Sequence, residues 1–354
     1  MKLKTIIGGI VCSYLFAFSA IAQKTKVSVN VSTVEATDTL SIKNEKRNIN
    51  IPLASEGKNS FGAKVELPAK GFYTIEPVGD VYIEPGQALK VKQTGARTYT
   101  FEGKQSQENN ILQKLKEARE ALLPENKTVS GAPSYALLQQ SIGQFQKTIA
   151  AYKDRVEKLS TTSDNELFKT LVLGDADAYS RLMLLGFSSY HQLDSTLYAA
   201  SQKFFNDPKS KQDPNFAAKA LRMRVLPLMD GFLNEEDAEI ARKAYTDGFN
   251  QSDEMLLYNS ASYAPLLSSL AFVDLPIDER ALKESYQKRF KAIPTKFPNT
   301  SFANELMVMQ SMQYIISARY ANAEAEAYQV VMSLSIPQHG KDRITEFYQQ
   351  LNKN

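Results

Sequence analysis

Along residues 24 to 103 the apolar positions recur at every second residue in short runs. Val27, Val29 and Val31 alternate with polar neighbours, then Ile49, Ile51 and Leu53, then Ala63, Val65 and Leu67, and later Leu89 and Val91. A period of two turns one face of an extended segment toward a core and the other toward water. The breaks between runs hold Gly, Pro, Asn or Asp. One break is legible as a turn type: in Glu84-Pro85-Gly86-Gln87, Pro85 suits the second position of a type II turn and Gly86 the positive φ that follows. Around it, residues 72–76, 81–84, 89–93 and 98–101 read as strands. Seven or eight short strands in about 80 residues predict an antiparallel β-sandwich over residues 24–103.

Near Glu102, Gly103 and Lys104 the period changes from two to about 3.6, which marks a boundary to an α-helical domain over residues 104–354. Ile111, Leu115, Ala118 and Leu122 step by four, three and four before Pro124 closes the helix. After a turn-rich stretch from Pro124 to Pro133, the seam Tyr135, Leu138, Ile142, Phe145, Ile149, Tyr152, Val156 and Leu159 runs without a break. Two such seams joined by a short loop predict a long helical hairpin packed on itself, with the charged stretch KDRVEK at 153–158 on its solvated face. A coiled coil open to a partner is the alternative use of the same seam.

Further helices are expected with boundaries of their own. Asp164 is placed to cap a helix through Leu167, Leu171 and the LMLL run at 182–185, and Asn215 to cap one holding Leu221 and Val225. Asn234, followed by Glu235, Glu236 and Asp237, opens a helix to about Phe249. Helices are then expected near 252–272, 278–292, 301–318 and 321–335, with a joint at KFPNTSFANEL, residues 296–306. The result is a helical array without the fixed self-similarity of a tetratricopeptide repeat.

The first 22 residues fit none of these patterns. Lys2 and Lys4 precede the apolar run IIGGIVCSYLFAFSAIA, which ends with Ala20 and Ala22 in an A-x-A site, so residues 1–22 read as a signal peptide cleaved after Ala22. The run is too short to span a bilayer and Cys12 is not placed as a lipoprotein cysteine. A periplasmic protein, soluble after cleavage and without a transmembrane segment, is the expectation. Two lysines leave with the signal, so the formal charge falls from +3 to +1, and nothing in that balance points to nucleic acid.

Composition restricts the chemistry. The single cysteine, Cys12, lies in the signal, so the mature chain has no thiol nucleophile, disulfide or thiolate ligand. The only histidines are His191 and His339, outside any H-E-x-x-H pattern and expected to face solvent or cap a helix. Glu235, Glu236 and Asp237 are what the dipole of a first helical turn favours. Asp175 and Asp177 open like a calcium loop but lack its central Gly and final Glu. Tyr73, Tyr82 and Tyr99 read as half-buried sheet residues, and Asp38-Thr39-Leu40 and Asp194-Ser195-Thr196 as weak O-glycosylation acceptors. No phosphate loop, nucleophile elbow or dinucleotide fingerprint appears. No catalytic, cofactor-binding or metal-binding residue is therefore assigned.

Three segments carry a resemblance: GFYTIEP at 71–77, DVYIEPGQALKV at 80–91 and FEGKQSQENNIL at 101–112. They look like the front half of exported thioredoxin-like thiol–disulfide interchange proteins of the Bacteroidota, specifically over residues 24–112 and more loosely through the helices. In that family the β domain and helices lead into a thioredoxin domain with a C-x-x-C pair. This chain has no C-x-x-C, so neither the redox residues nor the activity carry over. The resemblance implies a non-catalytic envelope binding protein with a protein partner, an accessory to a separate thioredoxin-like protein. The alternative is a hydrolase or other enzyme whose site is built from scattered carboxylates and tyrosines of the helical domain.

Overall fold

The computed structural model describes residues 25–33, 39–95, 98–126, 132–191, 203–213, 216, 233, 235–319 and 322–352. The expected signal segment, Asp38, the helix after Asn215 with Leu221 and Val225, Asn234, and the acceptor triplet at 194–196 lie outside the described residues.

The alternating segments form β1 (Thr25–Ser32), β2 (Leu40–Asn44), β3 (Ile49–Gly57), β4 (Ser60–Leu67), β5 (Gly71–Ile75), β6 (Gly79–Ile83), β7 (Ala88–Gly95) and β8 (Thr98–Gly103). Their inward residues, Val29, Ile42, Leu67, Ile75, Ile83 and Leu89 among them, share one buried core. The Glu84–Gln87 turn closes with a hydrogen bond from the Gln87 amide to the Glu84 carbonyl (3.2 Å), and Gly86 has the positive φ of 85° that a type II turn requires.

The hydrogen bonding departs from a sandwich of two separate sheets. All eight strands join one curled sheet in the order β6-β5-β2-β3-β4-β1-β7-β8. The hinge is β3: residues 49–53 pair with β2 and residues 54–57 with β4, with a bulge between Ser55 and Gly57 inside the β4 pairing. β1 lies parallel to β7, so the sheet is mixed rather than antiparallel throughout.

The helices are α1 (Ser106–Leu122), α2 (Tyr135–Leu138), α3 (Ile142–Ser160), α4 (Glu166–His191), α5 (Glu235–Thr246), α6 (Glu254–Asn259), α7 (Tyr263–Leu270), α8 (Leu282–Lys296), α9 (Thr300–Arg319), α10 (Glu324–Met332) and α11 (Gln338–Leu351). α3 packs between α1 and α4, and Ile111, Leu115, Phe145, Ile149, Val156, Phe168 and Met183 bury one another. The seam from Tyr135 is not one helix. Ser141 accepts a hydrogen bond from the Gln144 amide while the Gln144 side chain accepts one from the Ser141 amide, a capping box that starts α3 afresh.

Three further boundaries differ from expectation, each for a local reason. α4 is capped by Asn165, whose side chain accepts from the Phe168 amide (3.1 Å), not by Asp164. The expected helix at 252–272 is two helices, because the Ser260 hydroxyl accepts from the amides of Ser262 and Tyr263 and re-caps the chain. α11 was not expected at all, since Pro337 and Gly340 mask its start. Its Ile344, Phe347, Tyr348 and Leu351 nevertheless follow helical spacing and pack into a second core with α7 to α10.

Candidate functional site

The sheet meets the helices along its edge strand β6. An edge strand exposes unpaired backbone groups. Here Asn109 of α1 pairs with one of them as a further strand would: its side-chain oxygen accepts from the Tyr82 amide (2.8 Å) and its amide nitrogen donates to the Tyr82 carbonyl (3.0 Å). Tyr82 itself is buried and packs edge-on against Phe72 and Phe168, and its hydroxyl donates to Glu84 (2.9 Å), which also accepts from Asn165 (2.9 Å). Burial, with Glu84 beside it, pushes the Tyr82 phenol well above its ordinary value. Glu108 accepts from Ser163 (2.9 Å).

Strand β5 is joined to the helices beside it, at Phe72, the register partner of Tyr82. Asn259 accepts from the Phe72 amide (2.8 Å), and Asn44 donates to the carbonyls of Phe72 and Tyr258 (both 3.0 Å). Gly71 lies so close that a Cβ would stand 2.1 Å from the Asn259 oxygen, and its φ of 149° favours glycine in any case. Tyr82, Glu84, Glu108 and Asn109 thus weld the sheet to the helices. Tyr82, Glu84 and Asn109 are engaged in these bonds, whereas Glu108 keeps one buried oxygen, Oε2, without a hydrogen bond.

Beyond the weld the two layers part. β6 at Gly79–Asp80 and α1 from Leu112 to Glu120 separate over a cleft of about 650 Å³, floored by α3 and α4. Its apolar walls include Phe72, Val78, Leu112 and Val156, and its polar groups converge from three directions. Asp80 accepts from the Thr74 hydroxyl (2.9 Å). Its carboxyl reaches solvent but stands among protein atoms on most sides, and the loss of surrounding water raises its pKa, against the pull of Thr74, Arg119 and Lys116. Lys116, exposed at the cleft mouth, forms no salt bridge among the described residues.

On the floor, Arg119 pairs with Asp175 (2.9 Å) and lies over the Tyr179 ring at 3.8 Å. Asp175 also accepts from Ser260 (2.5 Å), and Tyr179 donates to the Leu123 carbonyl (2.7 Å). Burial opposes the Arg119 charge, but Asp175 and the flanking tyrosines more than offset it, so the guanidinium is held protonated. Burial raises the phenols of Tyr152 and Tyr179, which keeps both protonated and makes them poor proton donors. The arrangement fixes a cation–carboxylate pair under an apolar cleft and leaves Asp80 and Lys116 to meet whatever enters.

The residues singled out in the sequence are dispersed. Asp175 reaches the cleft, but from the middle of α4 rather than a loop, and Asp177 pairs with Lys153 (2.7 Å) and Arg181 (2.6 Å) instead. Tyr99 lines the cleft and donates to the Pro77 carbonyl (3.2 Å), whereas Tyr73 is buried and donates to the Ala69 carbonyl (2.6 Å). His191 does not face solvent: it is buried, stacked on Phe187 at 4.1 Å with Nδ1 2.9 Å from the Phe187 carbonyl, and burial lowers its pKa. His339 sits in the first turn of α11, far along the chain from the cleft residues. Glu236 and Asp237 lie in the first turn of α5, after Glu235 opens it. Among the described residues no group of three or more His, Asp or Glu side chains converges as a metal site, and no helix is long and apolar enough to cross a membrane.

Asp80, Lys116 and Arg119 were missed because each is an ordinary charged residue in its own segment. The only local signal is Asp80 beside Gly79, at the start of a strand whose next three residues are all buried. Compared with protein-family models, curated proteins and solved structures, the chain matches none.

Proposed function

We propose that this chain is a non-catalytic binding protein of the cell envelope, exported by its first 22 residues, and that the cleft between sheet and helices holds its ligand. The observation that supports this most is the state of the cleft floor. Arg119, Asp175, Tyr152 and Tyr179 are tied to one another or to backbone, so they shape a surface rather than stand ready for proton transfer. The apolar walls with a few fixed polar groups are those of a recognition site. Asp80, Glu120, Glu125 and Asp175 outnumber Lys116 and Arg119, so the cleft favours an apolar group carrying a cation or hydrogen-bond donors.

The resemblance to thioredoxin-like proteins, in a chain without a C-x-x-C pair, adds a partner: a separate thioredoxin-like protein bound without a covalent bond. Affinity capture from envelope extract tests this, run with and without cysteine-trapping variants of that partner. The same partner is expected in both arms, because the mature chain has no thiol to trap. Absence of any reproducible partner would refute the reading.

One observation favours a second reading, a hydrolase. Asp80 has a raised pKa on the wall of a cleft that also holds Asp175, and a carboxyl tuned upward is what general acid catalysis uses. Screening the purified chain against ester and glycoside substrates separates the two readings: turnover abolished by Asp80→Asn would establish the second.

A further inference from the structure

A second hollow of about 350 Å³ lies on the far side of the weld, where the turn after β2 meets α6, α9 and the first turn of α11. Its chemistry is opposite in sign to that of the cleft. Lys46, Arg47 and Arg343 line it against a single lining carboxylate, Glu305, with His339 beside them. Arg343 uses its guanidinium on Glu305 at 2.6 and 3.1 Å, and Glu45 approaches its Nε only to 3.7 Å, leaving that buried nitrogen without a hydrogen bond. Lys46 donates to a neutral acceptor, the Ser260 carbonyl (2.6 Å), and burial lowers its pKa despite Glu305 nearby. An entering anion would favour its charged form.

Arg47 is the group left over. Its guanidinium stacks over the Tyr258 ring at 4.5 Å and has no carboxylate partner among the described residues. Both members of the stack are held from outside. The Tyr258 hydroxyl donates to Ser301 (2.8 Å), and the Arg47 amide donates to the Asn44 side chain (3.1 Å) in a turn closed by Asn48 in the left-handed conformation. A guanidinium fixed by stacking keeps its planar fork of donors pointed in one direction at little entropic cost. The positive end of the 14-residue helix α11 adds to the same field.

We infer that this hollow is a binding site for a small organic oxyanion, a phosphate monoester or a carboxylate, with Arg47 as its principal contact. It is a site separate from the cleft and does not depend on what the cleft holds. The volume exceeds that of a bare phosphate ion, so the ligand carries an organic group beside Ser301 and His339.

Phenyl phosphate, benzoate and neutral benzamide, matched in their ring, test the inference by calorimetric titration of the full chain. Ring signals of the two histidines are followed by NMR in parallel. Saturable binding of phenyl phosphate, of benzoate, or of both is expected, the preferred acid naming the headgroup, with benzamide silent and the His339 signal shifting while buried His191 stays fixed. Arg47→Ala should weaken binding about tenfold or more, and Arg47→Lys should recover only part of it. No saturable binding of either acid, binding of benzamide equal to theirs, or an unmoved His339 signal would overturn the assignment, whether or not the Arg47 variants fold.

Discussion

The two ends of β6 meet the same helix in opposite ways. At Tyr82 the strand edge is fully satisfied, with Asn109 standing where another strand would pair and Glu84 tied to Asn165. At Asp80, α1 has drawn away and the edge faces a cleft walled by Val78 and Leu112 and floored by Arg119 and Asp175. The welded end leaves no backbone group of Tyr82 unpaired, and the open end carries the residues available to a ligand.

The contrast can be broken most severely at the weld. Gly71→Ala should destabilise the chain by about 3 kcal/mol, because a Cβ there meets Asn259 and the backbone conformation resists a side chain. Asn109→Ala should cost about 2–3 kcal/mol by leaving the Tyr82 amide and carbonyl buried without partners. Chemical denaturation checks both, and a loss under about 0.5 kcal/mol at either site would mean that the weld is not what mounts the sheet.

Effects on the cleft floor should be smaller. Asp175→Asn leaves Arg119 partly buried with a weakened partner and should cost about 1–2 kcal/mol in the same assay. His191, remote from both ends, sharpens the comparison through pH. Its folded-state pKa lies below the unfolded value near 6.5, so between the two values the unfolded chain binds more protons. Stability should fall as pH drops through that window, and the His191→Gln variant should lack this part of the slope when thermal midpoints are compared from pH 8 to 5.

The smallest expected effect has the opposite sign. The Asp80 carboxyl is raised in the folded state, so the stability it contributes is complete below the unfolded value of 3.8 and is lost as pH rises through the folded value. Asp80→Asn should therefore stabilise the chain slightly at pH 7. Stabilisation on removing a residue is the mark of one kept for binding rather than for folding, and a loss of stability would move Asp80 to the welded side of the comparison.

Local pattern revealed much of the fold. Val27, Val29 and Val31 fill the sheet core as their alternation requires, and Ile149, Tyr152 and Val156 fill the helical one. What was not legible depends on distance or on competition between signals. The parallel pairing of β1 with β7 joins segments about 60 residues apart, and no residue in either segment encodes it. Whether the strands formed one sheet or two was decided between Leu53 and Ala54, where β3 changes partner from β2 to β4, a step that no alternation marks. Ser141 and Ser260 were readable as caps, but each sat inside a strong apolar period that concealed it.

The candidate site was hardly legible at all. Asp80, Lys116, Arg119 and Asp175 come from one strand and two helices, and only the weld brings them together. A sequence motif records residues that act together locally; a cleft between layers is assembled from residues that do not.

The open end of β6, not the welded end, is where we propose that the partner binds. Affinity capture from envelope extract with Gln113→Trp, which places a bulky ring in the cleft without touching the weld, tests it most directly. The variant is expected to keep the wild-type thermal midpoint and to lose the partner captured by the wild type. Capture that survives unchanged in a correctly folded Gln113→Trp chain would contradict it.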